Sequence, residues 1–294
     1  MKIWMSNWNN VLTDVAHSLR DDGHEFVTKF EDTDVVVLWN ETLPDAISIA
    51  NLSKSLGKKV VTVQHGRRGS SKYYPPFNQE IVSDKLLVWG ERDKERLIKA
   101  GRDSKKIVVT GTTLLSHIKP RKKHKGTNIV FCPEHWDTEV WENDMVAQEL
   151  RKLKGVKIVT KIIEGHNPKW YDNPVLTNRG DSDHLEILIN TLSEADLLVG
   201  VSESTTELFA QAMDIPVVIM KDWVPKPFDG HPEYEEYERK ISEASKAVSL
   251  KDLNSTIMQQ LENPDELKEE RKKVVELEGG PKDALERIKK EING

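Results

Sequence analysis

The sequence predicts an α/β protein with two doubly wound parallel sheets, and three observations lead there. Apolar runs of strand length alternate with amphipathic stretches of helix length along nearly all 294 residues, the pattern of parallel strands joined by crossover helices. The runs VVVLW (35–39) and LLVGV (197–201) carry no polar side chain, as strands covered on both faces require. The alternation halts once, at a basic stretch, and then restarts, which divides the chain into two halves.

Each element follows from local chemistry. KIWM (2–5) is a short opening strand. Within 10–24, Val11, Val15 and Leu19 recur at helical spacing and Gly23 stops the helix. EFVTKF (25–30) and DVVVLWN (34–40) read as strands, and DAISIANLSKSLGKK (45–59) as a helix with a glycine stop. VVTVQHG (60–66) is a buried strand that runs into a turn. KLLVWGE (85–91), a helix from Arg92 to Ala100 and KIVVTGT (106–112) complete the first series.

KPRKKHKGTN (119–128) holds five Lys or Arg side chains in ten residues. It reads as a solvated linker; its other reading is a docking strip for anionic acceptors or lipid headgroups. Beyond it, NIVFCP (128–133), VKIVTKI (156–162), ADLLVGV (195–201) and IPVVIMK (215–221) are strands. MVAQELRKLKG (145–155), HLEILINTLSEA (184–195) and STTELFAQAMD (204–214) are helices. NPDEL (263–267) reads as a helix start, with Asn263 as cap and Pro264 in the first turn. The expected organisation is a first domain over 1–120, a basic linker over 121–127 and a second domain over 128–250. Helices over 251–294 close the chain and can cross back to the first domain.

Composition excludes several classes. A chain with 37% hydrophobic and 31% charged residues has matter for a core, so wholesale disorder is excluded. The 43 Lys+Arg against 49 Asp+Glu leave a net charge of -6, a poor balance for a nucleic-acid clamp. No apolar run approaches the ~20 residues that cross a bilayer, and MKIWMSNWNN lacks the apolar segment of a secretory signal. Cys132 is the single cysteine, so an internal disulfide and a multi-cysteine metal site are excluded. The expectation is a reduced, cytoplasmic protein. Neither GxGxxG after the first strand, nor GxxxxGK[ST], nor GxSxG occurs, which disfavours NAD, P-loop and serine-hydrolase chemistry.

In open parallel sheets ligands sit outside the carboxyl ends of the strands, so the loops after strands carry the candidates. After the strand ending at Val201 come Ser202, Ser204, Thr205 and Thr206, and a helix begins with Glu207 in its first turn. A helix N-terminus offers free N–H groups and partial positive charge to phosphate oxygens, and Glu207 can bond ribose hydroxyls. The same spacing also makes Ser204 and Glu207 a capping box, and the two roles are compatible. His65 follows a buried strand and precedes Gly66; an imidazole there can take a hydroxyl proton at neutral pH, or simply bond the backbone. Arg67 and Arg68 are suited to an anionic acceptor or a diphosphate. His166 follows the strand over 156–162, and Glu134 and His135 follow the strand over 128–133, where they can meet a base or sugar. No third ligand accompanies Glu134 and His135, and no DxD pair sits at a strand end, so no metal is assigned.

ADLLVGVSESTTELFAQAMDIPVVIM (195–220) resembles the nucleotide-binding half of glycosyltransferases of the B type (GT-B), which consist of two Rossmann-like domains facing a cleft. VVTVQHGRRGS (60–70) with DKLLVWGERDKERLIKAGRDSKKIVVTGTTLL (84–115) is similar to their acceptor half. The nearest branch holds the CDP-glycerol glycerophosphotransferases and the UDP-N-acetylglucosamine 2-epimerases. The resemblance implies that His65 is the base, as the His-Gly at this place is in the polyol-phosphate branch. It also implies that His166, in KIIEGHNP (161–168), contacts the donor phosphate. The family's Lys-x-His spacing is stretched here between Lys161 and His166.

The reading is a metal-independent glycosyltransferase that uses a nucleotide-sugar, a UDP-sugar favoured, as substrate and holds no tightly bound cofactor. Its acceptor is a hydroxyl of a glycan, a polyol phosphate or another molecule. The alternatives are an epimerase-like isomerase of nucleotide sugars, a CDP-polyol phosphotransferase, a glycosyltransferase acting on a modified nucleic-acid base, and a non-catalytic nucleotide-binding protein. In KDWVPKPFDGHPEYEEYE (221–238), Lys221-Asp222-Trp223 replaces the epimerases' arginine-bearing loop, which weakens the isomerase.

Overall fold

The computed structural model describes residues 1–6, 10–39, 44–66, 81–119, 121–122, 124–133, 140–164, 166–177, 183–201, 204–221 and 243–294. They form two compact units: Met1–Ser116 together with Glu276–Gly294, and His117–Val275. Each is built on a six-stranded, wholly parallel sheet, the α/β class that the alternating pattern predicts.

The first unit runs β1 (Lys2–Met5), α1 (Asn10–Asp21), β2 (Glu25–Phe26), β3 (Val35–Leu38), α2 (Pro44–Ser55), β4 (Lys59–Val63), β5 (Lys85–Val88), α3 (Glu91–Lys99) and β6 (Ile107–Val109). The strand order is β2-β1-β3-β4-β5-β6. Helix α1 buries Leu12, Val15, Ala16 and Leu19, the i, i+3, i+4, i+7 face of an amphipathic helix. The strand expected over 25–30 shrinks to two residues, and Phe30–Asp32 forms a 3₁₀ turn instead. Phe30 packs edge-on against Trp4, and the buried Thr33 hydroxyl accepts the Trp4 N–H at 2.9 Å. These contacts pull the chain out of an extended line.

The C-terminal segment of this unit is a π-helical turn, Val275–Gly279, followed by α9 (Ala284–Asn293). It lies backbone to backbone against the end of β5. A Cβ on Gly90 would stand 1.9 Å from the Leu277 carbonyl oxygen, and one on Gly280, which has φ +73°, would stand 1.8 Å from the Trp89 carbonyl oxygen. Only glycine permits that approach. Arg92 bonds the buried Glu278 carboxylate at 2.7 Å, and Lys289 pairs with Asp22 at 2.9 Å.

The second unit contains β7 (Thr127–Cys132), α4 (Val140–Leu150), β8 (Val156–Ile163), β9 (Pro174–Thr177), α5 (His184–Ser193), β10 (Leu197–Gly200), α6 (Thr205–Ala212), β11 (Val217–Met220), β12 (Ser245–Val248), α7 (Leu253–Glu262) and α8 (Lys268–Val274). Its order is β12-β11-β10-β7-β8-β9. The core gathers Phe131, Ile162, Leu197, Val199, Val218 and Met220 from the central strands with Leu253 and Ile257 of α7. Burial of each such side chain contributes about 1.5–3 kcal/mol.

Two details differ from the expectation. The edge strands β9 and β12 were not anticipated; both are short and mix polar with apolar residues, as edge strands tolerate. NPDEL does not start a helix. Asn263 is the C-cap of α7 and α8 begins at Lys268, because Arg271, fully buried, bonds the Pro264 carbonyl at 2.8 Å and holds 263–267 as a turn. The same guanidinium donates to Asp214 Oδ1 at 2.6 and 2.8 Å. Burial alone would raise the Asp214 pKa; Arg271 and Lys268 outweigh it and hold the carboxyl below its usual value. Along the basic strip, Arg121 pairs with Asp196 at 2.9 Å, Lys122 with Glu194 at 3.2 Å and Lys119 with Glu186 at 3.6 Å, all as solvent-accessible ion pairs. No helix among the described residues is long and apolar enough to cross a membrane.

Candidate functional site

In the second unit, strands β7, β8 and β9 run outward in one direction and β10, β11 and β12 in the other. The order reverses between β7 and β10, the switch point where dinucleotide-binding sheets take their ligands. Cys132 pairs in register with Gly200 at the carboxyl ends of these two strands, and α6 begins just beyond. Ser204 caps α6: its Oγ accepts the Thr206 N–H at 3.2 Å, while Glu207 Oε2 accepts the Ser204 N–H at 3.1 Å. Both halves of the capping box are formed. Thr205, Thr206 and the nearly fully buried Glu207 therefore make the first turn at the switch point.

Ser204→Ala and Glu207→Ala are each expected to cost about 0.5–2 kcal/mol of stability through the lost cap. If the helix end also holds a nucleotide, its affinity falls in the same variants. Urea unfolding and a nucleotide titration on the same samples separate the two effects; unchanged affinity leaves the cap as the whole role.

Cys132, half-buried, lies within electrostatic reach of Lys161 and Glu207. Burial pushes its thiol up to about 12; the Lys161 charge opposes the rise and the Glu207 charge adds to it. A thiol so protonated is a poor nucleophile. Iodoacetamide at pH 8 is expected to leave the folded chain unmodified and to alkylate it in urea, read by intact mass. Rapid alkylation of the folded chain would refute the assignment.

His166 follows β8. Its Nδ1 lies 3.3 Å from the Ile163 N–H and 3.2 Å from the Ile163 carbonyl oxygen, so either tautomer is tied to the strand end. Its ring stands edge-on to Tyr171 at 5.9 Å.

In the first unit, His65 lies just past the end of β4. Its ring packs at 88° to Trp39, with centroids 4.7 Å apart. The Trp39 N–H donates to Ser6 Oγ at 3.1 Å, which ties the ends of β1 and β3 together. Trp39 is thus half-buried at the strand ends, whereas Trp89 is buried. Beneath His65 lies a network absent from the sequence reading: the buried side chains of Gln64, Trp89 and Asp93. A glutamine after an apolar strand is a weak signal of such a network. Nothing in ERDKER (91–96) marks Asp93 as the carboxylate that turns inward.

Ser202, Glu134, His135, Arg67 and Arg68 lie outside the described residues, as does the loop over 222–242. Among the described residues, no three His, Cys, Asp or Glu side chains gather as a metal site would need.

No family model matches the chain, and no curated protein does. Solved structures do. The chain is similar to a UDP-GlcNAc 2-epimerase from Neisseria meningitidis bound to UDP-GlcNAc, with TM-score 0.64 and 12% identity over 99% of both chains. It is similar to S. aureus MnaA in a structure with UDP, at 0.68 and 14%, over all of this chain and 96% of that one. It is also similar to the wall teichoic acid polymerase TagF, at 0.64 and 12%, over all of this chain and 88% of that one. With its two parallel Rossmann-like sheets, the chain has the GT-B fold.

Proposed function

We propose that this protein is a glycosyltransferase that moves a sugar from a nucleotide-sugar, a UDP-sugar first among them, to a hydroxyl acceptor, with His65 as general base. The observation that carries the reading is the capped N-terminus of α6 at the β7/β10 switch point. The partial positive charge of that helix end suits a diphosphate. That two structures of similar fold hold UDP or UDP-GlcNAc adds support.

In this mechanism His65 takes the acceptor hydroxyl proton as the acceptor oxygen bonds to the anomeric carbon. The bond from that carbon to the diphosphate oxygen breaks, and its electron pair leaves with the nucleotide. The charge that develops there is met by the α6 N-terminus, by the Thr205 and Thr206 hydroxyls and by His166, whose Nδ1 is already engaged with Ile163. Arg67 and Arg68 are assigned to an anionic acceptor, Glu207 to ribose hydroxyls, and Ser202, Glu134 and His135 to the rest of the donor.

A thermal-shift panel of UDP, CDP, GDP and dTDP tests the reading. A ligand at 100 times its dissociation constant adds about 2.7 kcal/mol of stability. UDP is expected to give the largest shift; CDP giving it instead favours polyol-phosphate transfer. No shift with any of the four would sink the donor site.

A further inference from the structure

We infer that Gln64 is the positioning residue for His65, held in turn by the buried carboxylate of Asp93; its catalytic meaning rests on the reading of His65 as base. Gln64 is 2% exposed, and both N–H groups and the oxygen of its amide are engaged. Its Nε2 donates to the Gly66 carbonyl at 2.8 Å and to Asp93 Oδ2 at 2.6 Å. Its Oε1 accepts the Trp89 N–H at 3.0 Å. A flipped amide would turn its oxygen toward a carbonyl and a carboxylate, so the network allows one orientation.

The backbone of the same residue is also committed. Its N–H donates to the Leu87 carbonyl, and its carbonyl accepts the Trp89 indole N–H at 2.8 Å. One side chain therefore bridges the residue after His65, the end of β5 and the first turn of α3. His65 sits between two anchored residues, on a chain that has already left the β4 ladder. The carboxylate matters because a charged acceptor makes a shorter and stronger hydrogen bond than a neutral one. Asp93 is itself buried, with Arg96 at 3.7 Å. The consequence is a His65 ring kept in one orientation against Trp39 rather than one that samples several. A base must be held in this way for proton transfer to be efficient.

The test reads the His65 ring directly and needs no substrate. Full-length protein is labelled with ¹³C,¹⁵N-histidine, and the His65 ring signals are assigned by their loss in His65→Gln. The Trp39 ring displaces these signals from exposed-histidine positions. In Gln64→Leu and in Asp93→Ala the displacement is expected to be lost, while the ring signals of His24 and His166 stay in place and report an intact fold. Asp93→Asn keeps an oxygen acceptor for Gln64 Nε2 without the charge and is expected to leave the His65 signals between those of the wild type and those of Asp93→Ala. Should Gln64→Leu fail to fold, the comparison of Asp93→Ala with Asp93→Asn decides. Unmoved His65 signals in Gln64→Leu, or equal signals in the two Asp93 variants, would overturn the positioning role. The base reading fails separately, by full transfer in His65→Ala.

Discussion

His65→Ala is expected to lose about 10²–10⁴-fold in turnover, the range that removal of a general base produces, while nucleotide affinity stays near wild type. The separation follows from where the residues lie. His65 belongs to the unit of Met1–Ser116 and Glu276–Gly294, whereas α6 and His166 belong to the unit of His117–Val275. Each unit has its own sheet and core, so a substitution at the end of β4 leaves the β7/β10 switch point intact. His166→Ala is expected to do the reverse in part and to weaken nucleotide binding. The wild-type rate should also fall on the acidic side of its pH profile, because a protonated imidazole cannot accept the acceptor's proton. Calorimetric titration with UDP beside initial rates checks both variants. Full turnover by His65→Ala would end the base assignment.

Gly280→Ala is expected to cost about 2–5 kcal/mol, more than any single surface change, from strain and forced overpacking together. At φ +73° the residue sits in the left-handed region, and its new Cβ would collide with the Trp89 carbonyl oxygen. Neither partner can rotate away, since both are main chain. Gly23→Ala is the control: Gly23 has φ +83°, yet its Cβ would meet nothing within 4 Å, so only the strain of about 1 kcal/mol remains. Urea unfolding of the two variants separates strain from collision. Equal losses would refute the close packing of 276–281 on the end of β5. The same substitution pushes on Trp89, a partner of Gln64, so its effect should reach the His65 ring as well.

The two-sheet α/β plan, the core strands β3, β4, β10 and β11 and the Ser204–Glu207 cap were legible in the sequence. Each depends on periodicity and on short-range spacing: apolar runs bury on both faces, and a serine three residues before a glutamate closes a capping box wherever a helix begins. The same locality explains the misses. Asn263 and Pro264 carry the local signature of a helix start, but Arg271, seven residues beyond Pro264, binds that proline's carbonyl and keeps the segment a turn.

What this sequence determined by itself is the alternation of strands and helices, and which loops follow strands, because these need only neighbours along the chain. Tertiary structure alone decided the strand orders, and hence the switch point between β7 and β10. It also decided which carboxylate of 91–96 turns inward to Gln64, and that the backbone at 277–281 lies against Trp89. Those outcomes depend on contacts between residues 25 to nearly 200 positions apart, where the partner's identity is set by packing and burial and leaves no local pattern to read.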